Sequence, residues 1–173
     1  MAEAARTTPN AIVVMGVSGS GKSTIGVELA KQMGEVFADA DDSHSPANKA
    51  KMAAGTPLTD RDRAPWLAAL NGIMRGWVAQ GQHGVLACSA LKAGYRDTLA
   101  KGMSLQQIVF VWLDLSRELL EKRVADRHHG FMPPSLLDSQ LATLEEPKGA
   151  IRVLNDRTPA EVAGEIRGRL AGT

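Results

Sequence analysis

Only one cysteine, Cys88, occurs in the 173 residues. A lone thiol excludes an internal disulfide and leaves no second cysteine for a metal site, which fits a reducing cytoplasm. Neither sign of charge is in excess. The net is +1 at pH 7, so no electrostatic feature points to nucleic acid or an anionic membrane as partner. Long apolar runs are missing too: Ala11–Met15 and Ile108–Leu113 are among the longest, and a membrane span needs about 20 residues. Met1 to Asn10 contain one Arg and no apolar run, so they are expected to be a flexible start and not a secretory signal. Internal repeats, low-complexity tracts and linkers between cores are also lacking. What remains is 44% hydrophobic and 23% charged, an ordinary globular composition with enough chain for one sizeable core. A single domain over 11–173 is expected.

Short apolar runs alternate with helical spacing along that domain. Strands are predicted at 11–15, 36–38, 85–88, 108–113 and 150–154. Helices are predicted at 23–33, 46–54, 65–80, 92–100, 116–127, 135–145 and 159–170, several with proline at a plausible first-turn position. The run Ile-Val-Phe-Val-Trp-Leu at 108–113 is continuously apolar, as a strand covered on both faces should be. The expected fold is therefore α/β: three layers, with a parallel sheet between helices on both faces.

Gly16-Val17-Ser18-Gly19-Ser20-Gly21-Lys22-Ser23 fits the phosphate-loop pattern G-x-x-x-x-G-K-[ST]. Glycines at 16, 19 and 21 let the backbone curl so that successive N–H groups converge on phosphate oxygens. The following helix adds the partial positive charge of its N-terminus. Lys22 should reach the β- and γ-phosphates, and the Ser23 hydroxyl is placed to ligate Mg²⁺. The segment follows a predicted strand and opens a predicted helix, which is the context this motif requires. Gly16 through Ser23, with Thr24, are the expected ATP-binding residues.

Such a loop does not name a reaction. The base-reading Asn-Lys-x-Asp of GTPases is absent, since Asn48-Lys49 is followed by Ala50-Lys51. Asp114 ends the 108–113 strand and could resemble a magnesium carboxylate; capping of the next helix by Asp114 and Ser116 is the favoured reading. The acidic stretch after the second strand, Asp39-Ala40-Asp41-Asp42-Ser43-His44, says more. It falls at the C-terminal edge of a parallel sheet, where α/β proteins bind ligands. Phosphoryl transfer to an alcohol needs a carboxylate that orients the hydroxyl and takes its proton. Asp41 is the residue assigned to that task, and Asp42 is read as a cap.

Taken together, several motifs resemble the gluconate kinases. They are the phosphate loop, Asp39-Ala40-Asp41-Asp42-x-His44, Asn48-x-x-Lys51-Met52, and Gly55-x-Pro57-Leu58-x-Asp60-x-Asp62-Arg63-x-Pro65-Trp66-Leu67. Further on come Ala87-Cys88-Ser89-Ala90-Leu91-Lys92-x-x-Tyr95-Arg96-Asp97 and Pro133-x-x-Leu136-Leu137-x-Ser139-Gln140-x-x-x-Leu144-Glu145. The resemblance covers about 11–170 and several motifs in order. It implies a nucleoside-monophosphate-kinase-like fold with a helical substrate-binding part over about 44–80 and a lid over about 127–135. It also implies ATP-dependent phosphorylation of D-gluconate on its 6-hydroxyl, giving 6-phosphogluconate for the pentose phosphate route, and commonly a homodimer. Two departures stand out: Ser43 replaces a bulkier residue, and the lid reads His129-Gly130-Phe131-Met132 instead of Gly-His-Phe-Met. No role is assigned to His128 or His129.

Gluconate carries a carboxylate at one end and the reacting hydroxyl at the other. Its site therefore needs a base near the γ-phosphate and cations farther away. Arg63, Lys92 and Arg96 are the candidate cations, because a guanidinium can hold a carboxylate bidentately. Asp39 and His44, together with Asp41, complete the expected substrate-binding set. Arg123 and Arg127 stand four apart on one helix; in the kinases resembled, such a pair serves adenine and the phosphates, Arg127 meeting transition-state charge. Cys88 is read as a small core residue. Two alternatives stay open: a kinase for another small hydroxy acid such as shikimate, and a nucleotide-binding regulator without catalysis.

Overall fold

The computed structural model describes residues 8–126 and 134–172. Five parallel strands form one sheet: β1 (Ala11–Met15), β2 (Val36–Asp39), β3 (Gly84–Ala87), β4 (Ile108–Asp114) and β5 (Ile151–Leu154), in the order β2-β3-β1-β4-β5. The helices are α1 (Lys22–Met33), α2 (Pro46–Ala53), α3 (Asp60–Ala79), α4 (Ala93–Ala100), α5 (Arg117–Asp126), α6 (Pro134–Thr143) and α7 (Pro159–Gly172). A 3₁₀ turn, Ala40–Ser43, joins β2 to α2.

Side-chain alternation along β1 divides the molecule into layers. Ala11, Val13 and Met15 pack with Leu67, Leu70 and Met74 of α3 and Leu99 of α4. Ile12 and Val14 pack with Ile25 and Leu29 of α1 and Val162 and Ile166 of α7. Every residue of β1 is buried, as a central strand with helices on both faces must be. The three-layer α/β architecture expected from the sequence is the one observed.

The elements depart from expectation where local chemistry overrides composition. Proline at 65 suggested that α3 begins there, yet the helix starts at Asp60 and contains Pro65. A capping box decides the start: Thr59 Oγ1 accepts from the Asp62 amide at 3.1 Å, and the Asp62 carboxylate accepts from the Thr59 amide at 2.9 Å. Two otherwise unsatisfied N–H groups are thereby paired. Lys51 Nζ also holds both Asp62 oxygens at 2.9 Å, and these contacts lower the Asp62 pKa to about 2. The flexible start expected over 1–10 is also corrected at its end. Asn10 donates to Gln82 O at 2.9 Å and accepts from the Gly84 amide at 2.8 Å, tying residue 10 to the entry of β3.

Because all strands are parallel, their C-terminal ends share one edge. Register places Asp39 of β2 level with Ala87 of β3, and Ala87 level with Val14 of β1. The phosphate loop, the acidic turn and the loop after β3 therefore emerge side by side. Sequence neighbours leave β1 and β3 in opposite directions across the sheet, which opens a crevice at this point.

Candidate active site

The phosphate loop leaves β1 at Gly16, whose amide donates to Ser89 O at 3.3 Å. Gly21 closes it with φ +92°, a left-handed conformation, and a Cβ there would lie 2.4 Å from Asn155 Nδ2. Glycine is required at 21 on both counts. Asn155, buried after β5, donates to Ser20 O at 2.7 Å. Lys22 arches back over the loop, its Nζ 3.1 Å from Val17 O. Ser23 and Thr24 lie exposed in the first turn of α1.

Opposite stands the acidic turn, held by four contacts. Asp39 caps it, its Oδ1 accepting from the Asp41 amide at 3.0 Å. Buried Ala40 accepts from Trp66 Nε1 at 2.7 Å. His44, buried, stacks on Trp66 with ring centroids 4.2 Å apart, and its Nδ1 is 3.4 Å from Asn48 Nδ2. Burial lowers the His44 pKa, so the ring is held toward its neutral form. The Asp41 carboxyl is accessible at the cleft, yet protein crowds it on one side. Its pKa is raised, first by desolvation and then by the Asp39 charge, with Lys22 and His44 opposing. A carboxylate pushed toward basicity beside the phosphate-loop lysine has the character of a proton acceptor.

Asp39 itself is turned to the phosphate loop. Ser23 Oγ donates to its Oδ2 at 2.6 Å. A hydroxyl and a carboxylate meeting at a phosphate loop are the oxygen donors that suit Mg²⁺, which takes few protein ligands and relies on substrate phosphates for the rest. No group of three or more His, Cys, Asp or Glu capable of holding a metal occurs among the described residues.

The predicted cations fall into two groups. Arg63 and Lys92 converge: Arg63 NH1 donates to Leu58 O at 2.8 Å and to Tyr95 Oη at 3.3 Å, and Lys92 Nζ lies 3.4 Å from Asp60 Oδ1. Tyr95 Oη donates to the same Asp60 oxygen at 2.5 Å. Both cations also sit over the Tyr95 ring, at 5.7 and 5.4 Å. They thus form a half-buried cationic pair gathered around the Asp60 carboxylate.

Arg96 is placed differently. It is 9% exposed, and its guanidinium donates to Ala90 O at 2.7 Å, Leu91 O at 3.1 Å and Glu145 O at 3.0 Å. With three carbonyls as partners, it braces the loop after β3. Arg96→Ala would take this donor from the Ala90 and Glu145 carbonyls, Leu91 O keeping the Glu145 amide, and should cost about 2–4 kcal/mol of stability. Denaturant unfolding should show the loss; unchanged stability with a raised acceptor KM would instead return Arg96 to substrate binding.

Arg123 reaches the other side of the phosphate loop, its NH2 donating to Asn155 O at 2.6 Å. Arg127, the lid over about 127–135, His128 and His129 lie outside the described residues apart from the start of α6. Cys88 is fully buried and its thiol is pushed up to about 12, which suits a core residue and not a nucleophile. Asp114 neither caps α5 nor faces the cleft alone: Arg152 Nε donates to its Oδ2 at 2.7 Å. The cap is Ser116, which accepts from the Leu119 amide at 3.2 Å.

Sequence reasoning gave no role to Asp60, Tyr95, Gln140 or Asn155. The first three lie inside the motifs quoted above, which was the available signal. Asn155 carried none beyond its place after the last strand.

The family model described as an AAA domain matches residues 12–147. A probable gluconokinase of Xenopus tropicalis is 46% identical over 175 residues, covering 92% of each chain. The gluconokinase of Gluconobacter oxydans is 48% identical over 161 residues, covering 91% of this chain and 89% of the relative. The crystal structure of a gluconokinase from Sinorhizobium meliloti 1021 superposes with a TM-score of 0.84 at 43% identity, covering 95% of this chain and 93% of that one. The phosphate loop facing an acidic turn, on a sheet shared with relatives of this similarity, identifies the chain as a P-loop kinase of the gluconokinase family.

Proposed function

We propose that this chain transfers the γ-phosphoryl group of ATP to the 6-hydroxyl of D-gluconate, giving 6-phosphogluconate and ADP. The observation that carries the reading is Asp41: a carboxyl of raised pKa, fixed at the strand edge and within the field of Lys22. Asp41 orients the hydroxyl and accepts its proton. The oxygen attacks the γ-phosphorus, and the bond to the β–γ bridging oxygen breaks toward ADP. Lys22 and the phosphate-loop amides not held by Ser89 or Gln140 take up the charge that spreads over the phosphoryl oxygens. Ser23 and Asp39 would hold Mg²⁺, which supplies charge neutralisation of the β- and γ-phosphates. Asp39 is thereby assigned to the metal in place of the sugar acid.

Arg63 and Lys92 are assigned to the gluconate carboxylate, with His44 and Asn48 nearer the polyol. Arg123 and Arg127 are assigned to the nucleotide. The reaction is assigned to the cytoplasm, which the lone cysteine fits, and to a homodimer, as the family resemblance implies. No helix among the described residues is long and apolar enough to cross a membrane. ADP release measured across gluconate, related sugar acids and shikimate tests the acceptor. Turnover with gluconate well above the rest is expected. Background rates with gluconate beside real turnover of another acid would refute the assignment.

A further inference from the structure

Gln140 projects from α6 onto the phosphate loop. Its Oε1 accepts from the Ser18 amide at 2.6 Å, and its Nε2 donates to Ser18 Oγ at 3.0 Å. The side-chain amide thus places its acceptor on a donor and its donor on an acceptor of one residue, 122 positions away in sequence.

The rest of α6 is bolted to the same region. Leu137 and Leu141, with Leu144 just beyond the helix, pack with Val17 of the phosphate loop. Just past the helix, the Glu145 amide donates to Leu91 O at 2.8 Å, and the Glu145 carbonyl accepts from Arg96. Gln140 therefore stands on a fixed platform. From inside the loop Lys22 Nζ holds Val17 O; from outside Gln140 holds Ser18. Between them the first limb of the loop is clamped just before Gly19, where the chain turns into its left-handed curl.

We infer that Gln140 is a positioning residue for nucleotide binding: it takes the Ser18 amide and pins that limb, so that the loop amides beyond it are already aimed at the phosphates. A loop left free must be ordered when ligand arrives, and that ordering weakens binding. The inference rests on the reading of Gly16–Ser23 as the ATP site, and it does not depend on the acceptor.

Gln140→Leu removes both hydrogen bonds while keeping a helix-compatible side chain of similar size. Calorimetry with a non-hydrolysable ATP analogue should show binding about 10-fold weaker, the effect of two modest hydrogen bonds. The KM for ATP should rise by a similar factor, and the KM for the acceptor should stay within about twofold. Ser18→Ala, which removes only the hydroxyl contact, should weaken the analogue about threefold. The double variant should be no worse than Gln140→Leu alone, because both changes break one coupled contact. Wild-type affinity in Gln140→Leu would overturn the inference. So would equal losses for nucleotide and acceptor accompanied by a lower Tm, since that pattern marks a general structural role. Failure of the wild type to phosphorylate gluconate while still binding the analogue would sink the acceptor assignment and leave this one standing.

Discussion

Asp41→Asn is expected to keep nucleotide affinity and to lose about 10²–10⁴ of kcat, the usual worth of a positioned general base. The change is isosteric and leaves the turn intact. The backbone amide of Asp41, and not its side chain, is what Asp39 holds. Trp66 and Ala40 anchor the same turn independently. Thermal unfolding should therefore match the wild type, and the stabilisation conferred by saturating ATP should be preserved. The pH profile provides a second readout. Desolvation and the Asp39 charge raise the Asp41 pKa above its ordinary 3.8. A base works only when deprotonated, so kcat/KM should fall as pH drops through that raised value. The acid limb should thus lie higher than an unperturbed aspartate would put it, and it should vanish from the residual rate of Asp41→Asn. A residual rate near wild type would remove Asp41 from proton transfer.

Lys22→Met should fail in a different way. On the proposed reading the ammonium supplies charge where negative charge gathers on the transferred group, and loss of one such group typically costs about 10²–10³ in kcat. The nucleotide should also bind more weakly, because the β- and γ-phosphates lose a partner. ATP should then raise the Tm of this variant less than that of wild type at equal concentration, since ligand stabilisation follows [L]/Kd. The two variants separate the halves of the site: Asp41→Asn spares the ATP-induced shift and Lys22→Met diminishes it. Equal ATP-induced shifts in both variants would contradict the assignment of Lys22 to the phosphates.

The donor half was legible in the sequence because its constraint is local and steric. Positive φ at Gly19 and Gly21 demands glycine whatever else the chain does, so spacing alone reveals the loop. The position of Asp41 was legible for a topological reason: a carboxylate just after a parallel strand must come out on the ligand-binding edge. The start of α3 was misread because a proline is conspicuous and a Thr59–Asp62 capping box is quiet, although the box governs the helix.

Other errors concern partners far away in sequence. Nothing in the identity of Arg96 reveals that its guanidinium goes to Ala90, Leu91 and Glu145 carbonyls. Arg63 looks much the same on paper yet stays half-exposed beside Lys92 and Tyr95. Asp114 could not be told from a cap without Arg152, on the neighbouring strand, beside it. Gln140 and Asn155 reach the phosphate loop from the far end of the chain, and their meaning appears only when the sheet brings those ends together.

The central claim is phosphoryl transfer from ATP to the 6-hydroxyl of gluconate. Its most direct test is phosphorus NMR of the product formed from ATP and D-gluconate by the wild-type enzyme. A phosphate on the primary carbon couples to two methylene protons, so a triplet-like signal growing in step with ADP is predicted. A product whose phosphorus couples to a single carbon-bound proton, or release of inorganic phosphate with no ester formed, would contradict it.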